Sequence, residues 1–342
     1  MYNLKEVVVE VTKRCNLSCI HCGSDCNDQM LKNELQLEEW KSVILQFFEM
    51  GVEKIVFSGG EPTLKVDFEK ILLFASELGI KVGFISNGLF SFSESLKNAI
   101  VKADPFAVGL SIDGVKNTHN KIRRNKNSWS GLMRNISTLQ EMNVQICAVT
   151  TLNKLNYREL PQLAEFLSLA GVDSWQIQLA MPSGRMKRHF DLLISEENFK
   201  DVCNQILSLR HRFLGLNIQS ADCFGLAPEN SIRSHCWSGC SAGISSMGMD
   251  SCGRIMPCLS IQEGGKYESI RERSVAEIWE DSEAFNLNRR FSKSDVKGEC
   301  KSCDFLGECR GGCASQSFSY YGYFHSSPFC FFRSFFCKHN KE

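Results

Sequence analysis

VEVTKRCNLSCIHCGSDC, residues 9–26, crowds four cysteines onto the segment that follows a β-branched run. Disulfides are a poor account of them. The N-terminus, MYNLKEVVVEV, has no apolar segment long enough for a signal peptide or a membrane span. A cytoplasmic chain is therefore expected, and thiols stay reduced in that compartment. The chain carries 17 cysteines, which points to metal ligation or catalysis. Lys+Arg and Asp+Glu are both 39 and no long basic run occurs, so neither a nucleic acid nor a membrane surface is expected as partner.

With 342 residues and 43% hydrophobic content, the chain can bury a large core but exceeds the usual size of one domain. From Glu6 to about Leu214, short apolar runs alternate with helical segments, the pattern of parallel β/α units. Strands are predicted over Glu6 to Thr12, Glu53 to Ser58, Ile80 to Ser86, Phe106 to Ile112, Val144 to Thr151 and Ser174 to Ala180. In LQLEEWKSVILQFFEMG, Trp40, Val43, Ile44, Phe47 and Phe48 recur at helical spacing, and Gly51 supplies a stop. Six parallel strands with right-handed crossovers curl into an incomplete barrel whose active-site loops gather at the strands' C-terminal ends. The expected fold is α/β: a partial (β/α)6 TIM-like barrel over 1–215, a bridging segment over 216–235, and a C-terminal cysteine-rich domain over 236–342. That last region has little regular apolar pattern and is expected to fold around metal.

Cys15, Cys19 and Cys22 stand as C-x3-C-x2-C on the first of those loops. Three thiolates are one short of what an iron–sulfur cubane takes, so one iron would be left open. Cys26 offers a fourth ligand, which would instead close a tetrahedral zinc site. The loop resembles that of radical S-adenosylmethionine (SAM) enzymes, with His21 in the aromatic slot before the third cysteine. The resemblance implies that SAM chelates the open iron and is cleaved reductively to a 5′-deoxyadenosyl radical, which abstracts a hydrogen from substrate. It extends along the barrel. Gly59, Gly60, Glu61 and Pro62 in FSGGEP match the segment that meets the SAM amino group, glycine letting backbone approach closely. Ser86 and Asn87 in ISNG, and Ser111 and Asp113 in SIDG, point to the same face, although Asn-Gly and Asp-Gly also favour turns without any ligand. Arg123 is the expected partner of the SAM carboxylate, with Arg124 as the alternative.

Two further cysteine groups follow, CWSGCSAGISSMGMDSCGRIMPC from Cys236 and CKSCDFLGECRGGC from Cys300. Together they resemble the SPASM module, a C-terminal extension of radical SAM enzymes, which makes this an iron–sulfur domain. The resemblance implies two auxiliary clusters, one on Cys236, Cys240, Cys258 and Cys313, the other on Cys300, Cys303, Cys309 and Cys330. Cys252 competes with Cys236, Cys337 competes with Cys330, and a zinc ribbon over the Cys300 block is the alternative. Three [4Fe–4S] clusters and SAM are thus the expected cofactors, leaving Cys147 and Cys203 as buried free thiols.

Enzymes of this kind mostly modify peptides and proteins. The expected function is oxidative modification, by crosslinking side chains, of a ribosomally made peptide. Formylglycine formation of the sulfatase-maturase type, tetrapyrrole side-chain oxidation and a non-catalytic metal scaffold are the alternatives. Sulfatase maturases follow the G-x4-C cysteine with an acidic residue, whereas Leu259 and Ser260 follow Cys258 here. By alternation Gln176 and Gln178 share one face of the sixth strand, and Gln178 is expected to line the substrate cavity. The first strand begins near Glu6, leaving no room ahead of it for a leader-binding domain. Either a separate leader-binding protein presents the precursor peptide, or the barrel and the aromatic tail (Tyr320, Tyr321, Tyr323, Phe324, Phe329) bind it directly. A flavodoxin- or ferredoxin-type protein is the expected electron donor.

Overall fold

The structure, a computed structural model, describes residues 2–29, 32–234, 237–262, 265 and 267–336. All six predicted strands are present: β1 (Glu6–Glu10), β2 (Lys54–Ser58), β3 (Lys81–Ser86), β4 (Val108–Ser111), β5 (Ile146–Leu152) and β6 (Ser174–Leu179). Three more join the same sheet: β7 (Asn217–Ser220), β8 (Ser246–Met249) and β9 (Ile255–Met256). The strand order is β7-β6-β5-β4-β3-β2-β1-β8-β9. Every pairing is parallel except that of β8 with β9. Chain order runs unbroken from β1 to β7, and β8 then returns to the far side of β1.

Between the strands lie α1 (Leu37–Glu49), α2 (Phe68–Glu77), α3 (Glu94–Ala103), α4 (Lys116–Arg123), α5 (Ser128–Glu141), α6 (Leu160–Leu169) and α7 (Glu196–Arg212). Helix α1 shows why this alternation folds. Gln36 and Glu39 form a reciprocal capping box at its start, satisfying two backbone donors that no helical carbonyl can reach. Trp40, Val43, Ile44 and Phe47 are fully buried, whereas Phe48, predicted on the same stripe, is 46% exposed. A 3.6-residue period rotates position 48 out of the seam.

Alternation sorts each strand into two faces. Val7 and Val9 of β1, and Trp175, Ile177 and Leu179 of β6, are buried in the core beneath the helices. Phe68 of α2 meets Phe57 and Phe84 edge-on at 6.0 and 5.5 Å. Burying each such ring contributes roughly 2–3 kcal/mol. The other face carries Val8, Glu10, Val56, Ser58, Ile85, Ser111, Val149, Thr151, Gln176 and Gln178, the barrel interior. No helix among the described residues is long and apolar enough to cross a membrane.

Strand β8 ties the cysteine-rich region to the barrel's first strand. Its register sets Val7 opposite Met247 and Val9 opposite Met249, and Ser245 accepts hydrogen bonds from the N–H groups of Lys5 and Glu6. A short helix, α8 (Val275–Glu280), adds a second tie: Trp279 Nε1 donates to the Tyr2 carbonyl, and Val275 N–H to Gln46 of α1. A chain ending at residue 234 would leave β1 an open edge of unpaired backbone groups. We expect that truncated protein to aggregate where the full chain does not, as measured by soluble yield and light scattering; a monodisperse product would contradict this dependence.

Candidate functional site

The cysteine loop leaves β1 and folds back on itself. Cys15 N–H donates to the Asn27 carbonyl at 2.6 Å, and Asp25 turns the chain with φ of 50°. Cys15, Cys19 and Cys26 are buried with Leu17, and Cys22 is half-buried against them. Cys26 N–H donates to Cys22 Sγ at 3.4 Å. The Cys26 thiol, and after it that backbone bond, Arg185 and His21, lower Cys22 although burial opposes them. Burial pushes Cys15 up to about 11. Among the described residues no three His, Cys, Asp or Glu side chains converge as ligands of a single ion. A cubane instead distributes its thiolates over four irons.

Arginine 185 is a clamp that the sequence reading missed. Its Nε donates to the Cys19 carbonyl at 2.8 Å and its Nη1 to Cys26 O at 2.6 Å and Asp25 Oδ1 at 2.9 Å. It follows Gly184, whose φ is +50° and where a Cβ would fall 2.4 Å from the Cys22 carbonyl oxygen. Glycine after strand six was the available signal. The glycines of FSGGEP likewise serve a backbone contact: a Cβ at Gly59 would lie 2.6 Å from Thr12 O, and one at Gly60 2.3 Å from Arg14 O. Their crowding partner is the stem of the cysteine loop.

The polar residues at the strand ends bind one another. Glu61 is fully buried; it accepts from Thr63, from Ser86 Oγ at 2.9 Å and from Asn87 N–H at 2.8 Å, which fixes the β2 loop to the β3 loop. Pro62, also buried, opens the short 3-10 turn that follows. Asn87 Nδ2 reaches Asn16 Oδ1 at 2.8 Å and Cys15 Sγ at 3.7 Å. Asp113 accepts from His21 Nε2 at 2.8 Å, from the Arg123 guanidinium and from Thr151 N–H at 2.9 Å. Burial would raise its pKa, but Arg123 and His21 outweigh burial and hold it far below the usual carboxylate range. The pairing expected between Arg123 and a SAM carboxylate is thus occupied here by Asp113. Arg123 also points Nη1 at Cys19 Sγ, 3.7 Å away, while its buried Nε has no hydrogen-bond partner among the described residues. Arg124 turns outward with φ of 53°, to His189.

Inside the barrel, Gln178 Nε2 donates to Thr151 Oγ1 at 2.9 Å, with Ser111 half-buried at the end of β4. Glu10, overlooked in the sequence, is 4% exposed. Burial, with Asp250, Cys22 and Glu34 nearby, raises it to about 7 against the pull of Lys13.

Cys300, Cys303, Cys309 and Cys330 line one cavity of about 340 Å³. Cys240 neighbours both Cys258 and Cys313, whose Sγ lies 3.2 Å from Ser315 Oγ. Cys236 and Cys337 lie outside the described residues. Cys252 sits in the β8–β9 turn, bonded through its N–H to Asp250. Cys223, assigned to no cluster from sequence, neighbours Cys313 and accepts from Leu179 N–H at 3.3 Å. Of the tail aromatics, Phe329 is core: it stacks on Phe199 at 5.1 Å, with Tyr320 edge-on to it. Tyr321 is 46% exposed and stacks on Tyr323.

The profile of the radical SAM superfamily matches residues 9–167, and that of the SPASM iron–sulfur cluster-binding domain residues 240–304. An AdoMet-dependent heme synthase of Oleidesulfovibrio alaskensis is 27% identical, over 94% of this chain and 85% of its own. The PqqA peptide cyclase of Bradyrhizobium diazoefficiens is 26% identical, over 92% and 83% respectively. The fold matches Streptococcus suis SuiB bound to S-adenosylmethionine with a TM-score of 0.75 and 18% identity, covering 92% of this chain and 74% of that one. The chain belongs to the radical SAM enzymes and carries a SPASM iron–sulfur domain behind its barrel.

Proposed function

We propose that the chain oxidatively modifies a ribosomally made peptide by crosslinking its side chains. The observation that carries this reading is the barrel's inward rim. At the C-terminal ends of β1, β2, β4, β5 and β6 the inward residues are Glu10, Ser58, Ser111, Thr151 and Gln178, neutral hydrogen-bonding groups with one acid. Amides and hydroxyls of a peptide find donors and acceptors there. A tetrapyrrole, whose carboxylates call for cations, does not suit that rim, and Glu10 would repel it. The heme-synthase relative keeps tetrapyrrole oxidation as the second reading.

Cys15, Cys19 and Cys22 would hold the radical-forming cluster. Arg123 Nε, without a hydrogen-bond partner among the described residues, is free to meet an acceptor arriving there. When bound, the cluster and SAM supply the one-electron cleavage that yields the hydrogen-abstracting radical. His21, Gly59, Gly60, Glu61, Pro62, Ser86, Asn87, Ser111, Asp113 and Arg123 shape the SAM side of the site. Gln178 and Glu10 face the substrate, whose exclusion from water the Arg185 clamp favours by closing the loop. Cys240, Cys258 and Cys313 with Cys236, and Cys300, Cys303, Cys309 and Cys330, would hold two auxiliary clusters, three cubanes in all. The barrel domain is assigned to 1–215, the bridge to 216–235 and the cluster domain to 236–342. A cytoplasmic setting and a flavodoxin- or ferredoxin-type donor complete the proposal.

Three outcomes test it. Anaerobically reconstituted protein should bind about twelve irons per chain, three cubanes of four. With Cys15, Cys19 and Cys22 changed together to Ala, about eight irons should remain and 5′-deoxyadenosine formation should stop. Retained cleavage would move the radical site elsewhere.

Glu10→Gln should stabilise the chain at pH 8 and change little at pH 5. The folded pKa lies near 7, above the unfolded value of 4.5, so between them the unfolded chain binds fewer protons and wild-type stability falls as pH rises. The full difference is about 3 kcal/mol, readable by urea denaturation at both values. Equal stability of the two proteins at pH 8 would contradict the raised carboxyl.

Isothermal titration of the isolated chain with the precursor peptide, intact and leader-less, should give binding of the intact form through the rim and the exposed Tyr321–Tyr323 pair. Silence from both peptides until a partner protein is added would transfer capture to that partner. Binding and turnover of an iron tetrapyrrole instead would favour the second reading.

A further inference from the structure

Two arginines flank the cavity lined by Cys300, Cys303, Cys309 and Cys330, and neither has its donors fully used. Arg333 reaches it from the C-terminal helix Phe331–Phe336. Its Nη1 lies 3.9 Å from Cys300 Sγ and 3.3 Å from Ser327 O, its Nη2 donates to Pro328 O at 2.6 Å, and Glu299, 65% exposed, pairs with its Nε at 2.8 Å. Arg233, which does not line the cavity itself, is fully buried. Its Nη2 donates to the carbonyls of Ala221 and Gly225 at 3.1 and 3.2 Å. Gly225 in turn packs on Cys330, where a Cβ would come within 3.3 Å of Sγ. Nε and Nη1 of Arg233 have no hydrogen-bond partner among the described residues; the guanidinium lies over the Trp237 ring at 5.6 Å and its Nη1 is 3.9 Å from Asp222. Cys223, Cys309 and Cys330 all lie near this guanidinium.

A buried guanidinium with two orphaned donors is costly unless a negative group satisfies it. A cubane held by four thiolates is such a group: it carries net negative charge, and its potential depends on charge and on hydrogen bonds to its sulfurs. At Cys240, Cys258 and Cys313 no arginine among the described residues reaches a cysteine sulfur. The sulfur of Cys313 meets a neutral hydroxyl, Ser315, and Arg310 spends its Nη2 on the Cys240 carbonyl rather than on sulfur.

We propose that Arg333 and Arg233 raise the reduction potential of the cluster in the Cys300 cavity above that of the Cys240 cluster, so that an electron entering the cysteine-rich domain collects there. This rests on the cluster assignment above but not on the identity of the substrate. Reduction adds one electron, and one negative charge, to the cluster. Two nearby positive charges therefore stabilise the reduced form more than the oxidised one.

The test is a redox titration of the reconstituted full chain with Cys15, Cys19 and Cys22 changed to Ala, followed by electron paramagnetic resonance, with dithionite as electron source. Neither SAM nor peptide is needed, so an error in the peptide reading leaves the result intact. Two auxiliary signals with separate midpoints are expected. Arg333→Gln should shift only the higher midpoint negative, lowering the reduced-to-oxidised ratio at fixed potential about tenfold, which is 59 mV for one electron. Arg333→Lys, keeping the charge, should restore most of the shift. Arg233→Met should act in the same direction on the same signal. Unchanged midpoints in the Arg333→Gln and Arg233→Met proteins at full iron content would overturn the proposal, as would equal shifts of both signals. Should one of these two variants lose iron, the other decides by the same criterion.

Discussion

The site is organised around one buried carboxylate. Asp113, at the end of β4, accepts from His21 in the cysteine loop, from Arg123 at the end of α4 and from the Thr151 N–H in β5. Removing Arg123 would leave the carboxylate without its counter-charge away from water, a loss of roughly 3–5 kcal/mol in comparable buried pairs. The same contacts decide where the thiols lie, because Arg123 touches Cys19 and His21 sits between Cys19 and Cys22. A neighbouring histidine, His119, is kept neutral, lowered to about 3 by burial and then by Arg123, and is bonded to Ser128. Its ring nitrogen accepts from Asp113 N–H, fixing the turn without adding charge.

Around that centre the loops are locked by contacts that only glycine permits. Gly59 and Gly60 let the β2 loop lie on the backbone of Thr12 to Arg14, and Gly184 lets the β6 loop lie on Cys22 and Gly23. A second buried acid, Glu34, joins Thr12, Lys13 and Lys65 on the other flank. Leu35, the next residue, bonds to Ser251 beyond β8, so the cysteine loop and the C-terminal region share one anchor. Gln262 to Ser24 at 3.1 Å is a further bridge between them.

The barrel strands were legible because each is a run of β-branched or aromatic residues followed by a helix with a clear stripe, as in KIVFS before α2. Strands β7, β8 and β9 were not. Asn217–Ser220 and Ser246–Met249 have four residues each and Ile255–Met256 two, with sequences such as SMGM that carry no alternation. They are strands because neighbours already in place offer unpaired edges, which is tertiary context overriding propensity. Among site residues, cysteines, glycines and the Asn-Gly and Asp-Gly turns were visible through spacing. Glu10 and Arg185 were not, since a lone acid in a strand or an arginine in a loop has no local signature. What singles them out is burial, and burial is a property of the assembled chain.

Burial also explains why so many of the thiols need metal. Burial holds Cys15 and Cys258 up at about 11 and Cys309 at about 12, and raises Cys300 and Cys313 as well. In the iron-free chain these groups are neutral at physiological pH and stay apolar enough to sit beneath the fold. Ligation requires thiolates, so each raised thiol that joins a cluster gives up its proton, and the metal–sulfur bond must exceed that cost. Cys22 is the exception, since Cys26 and Arg185 already stabilise its thiolate.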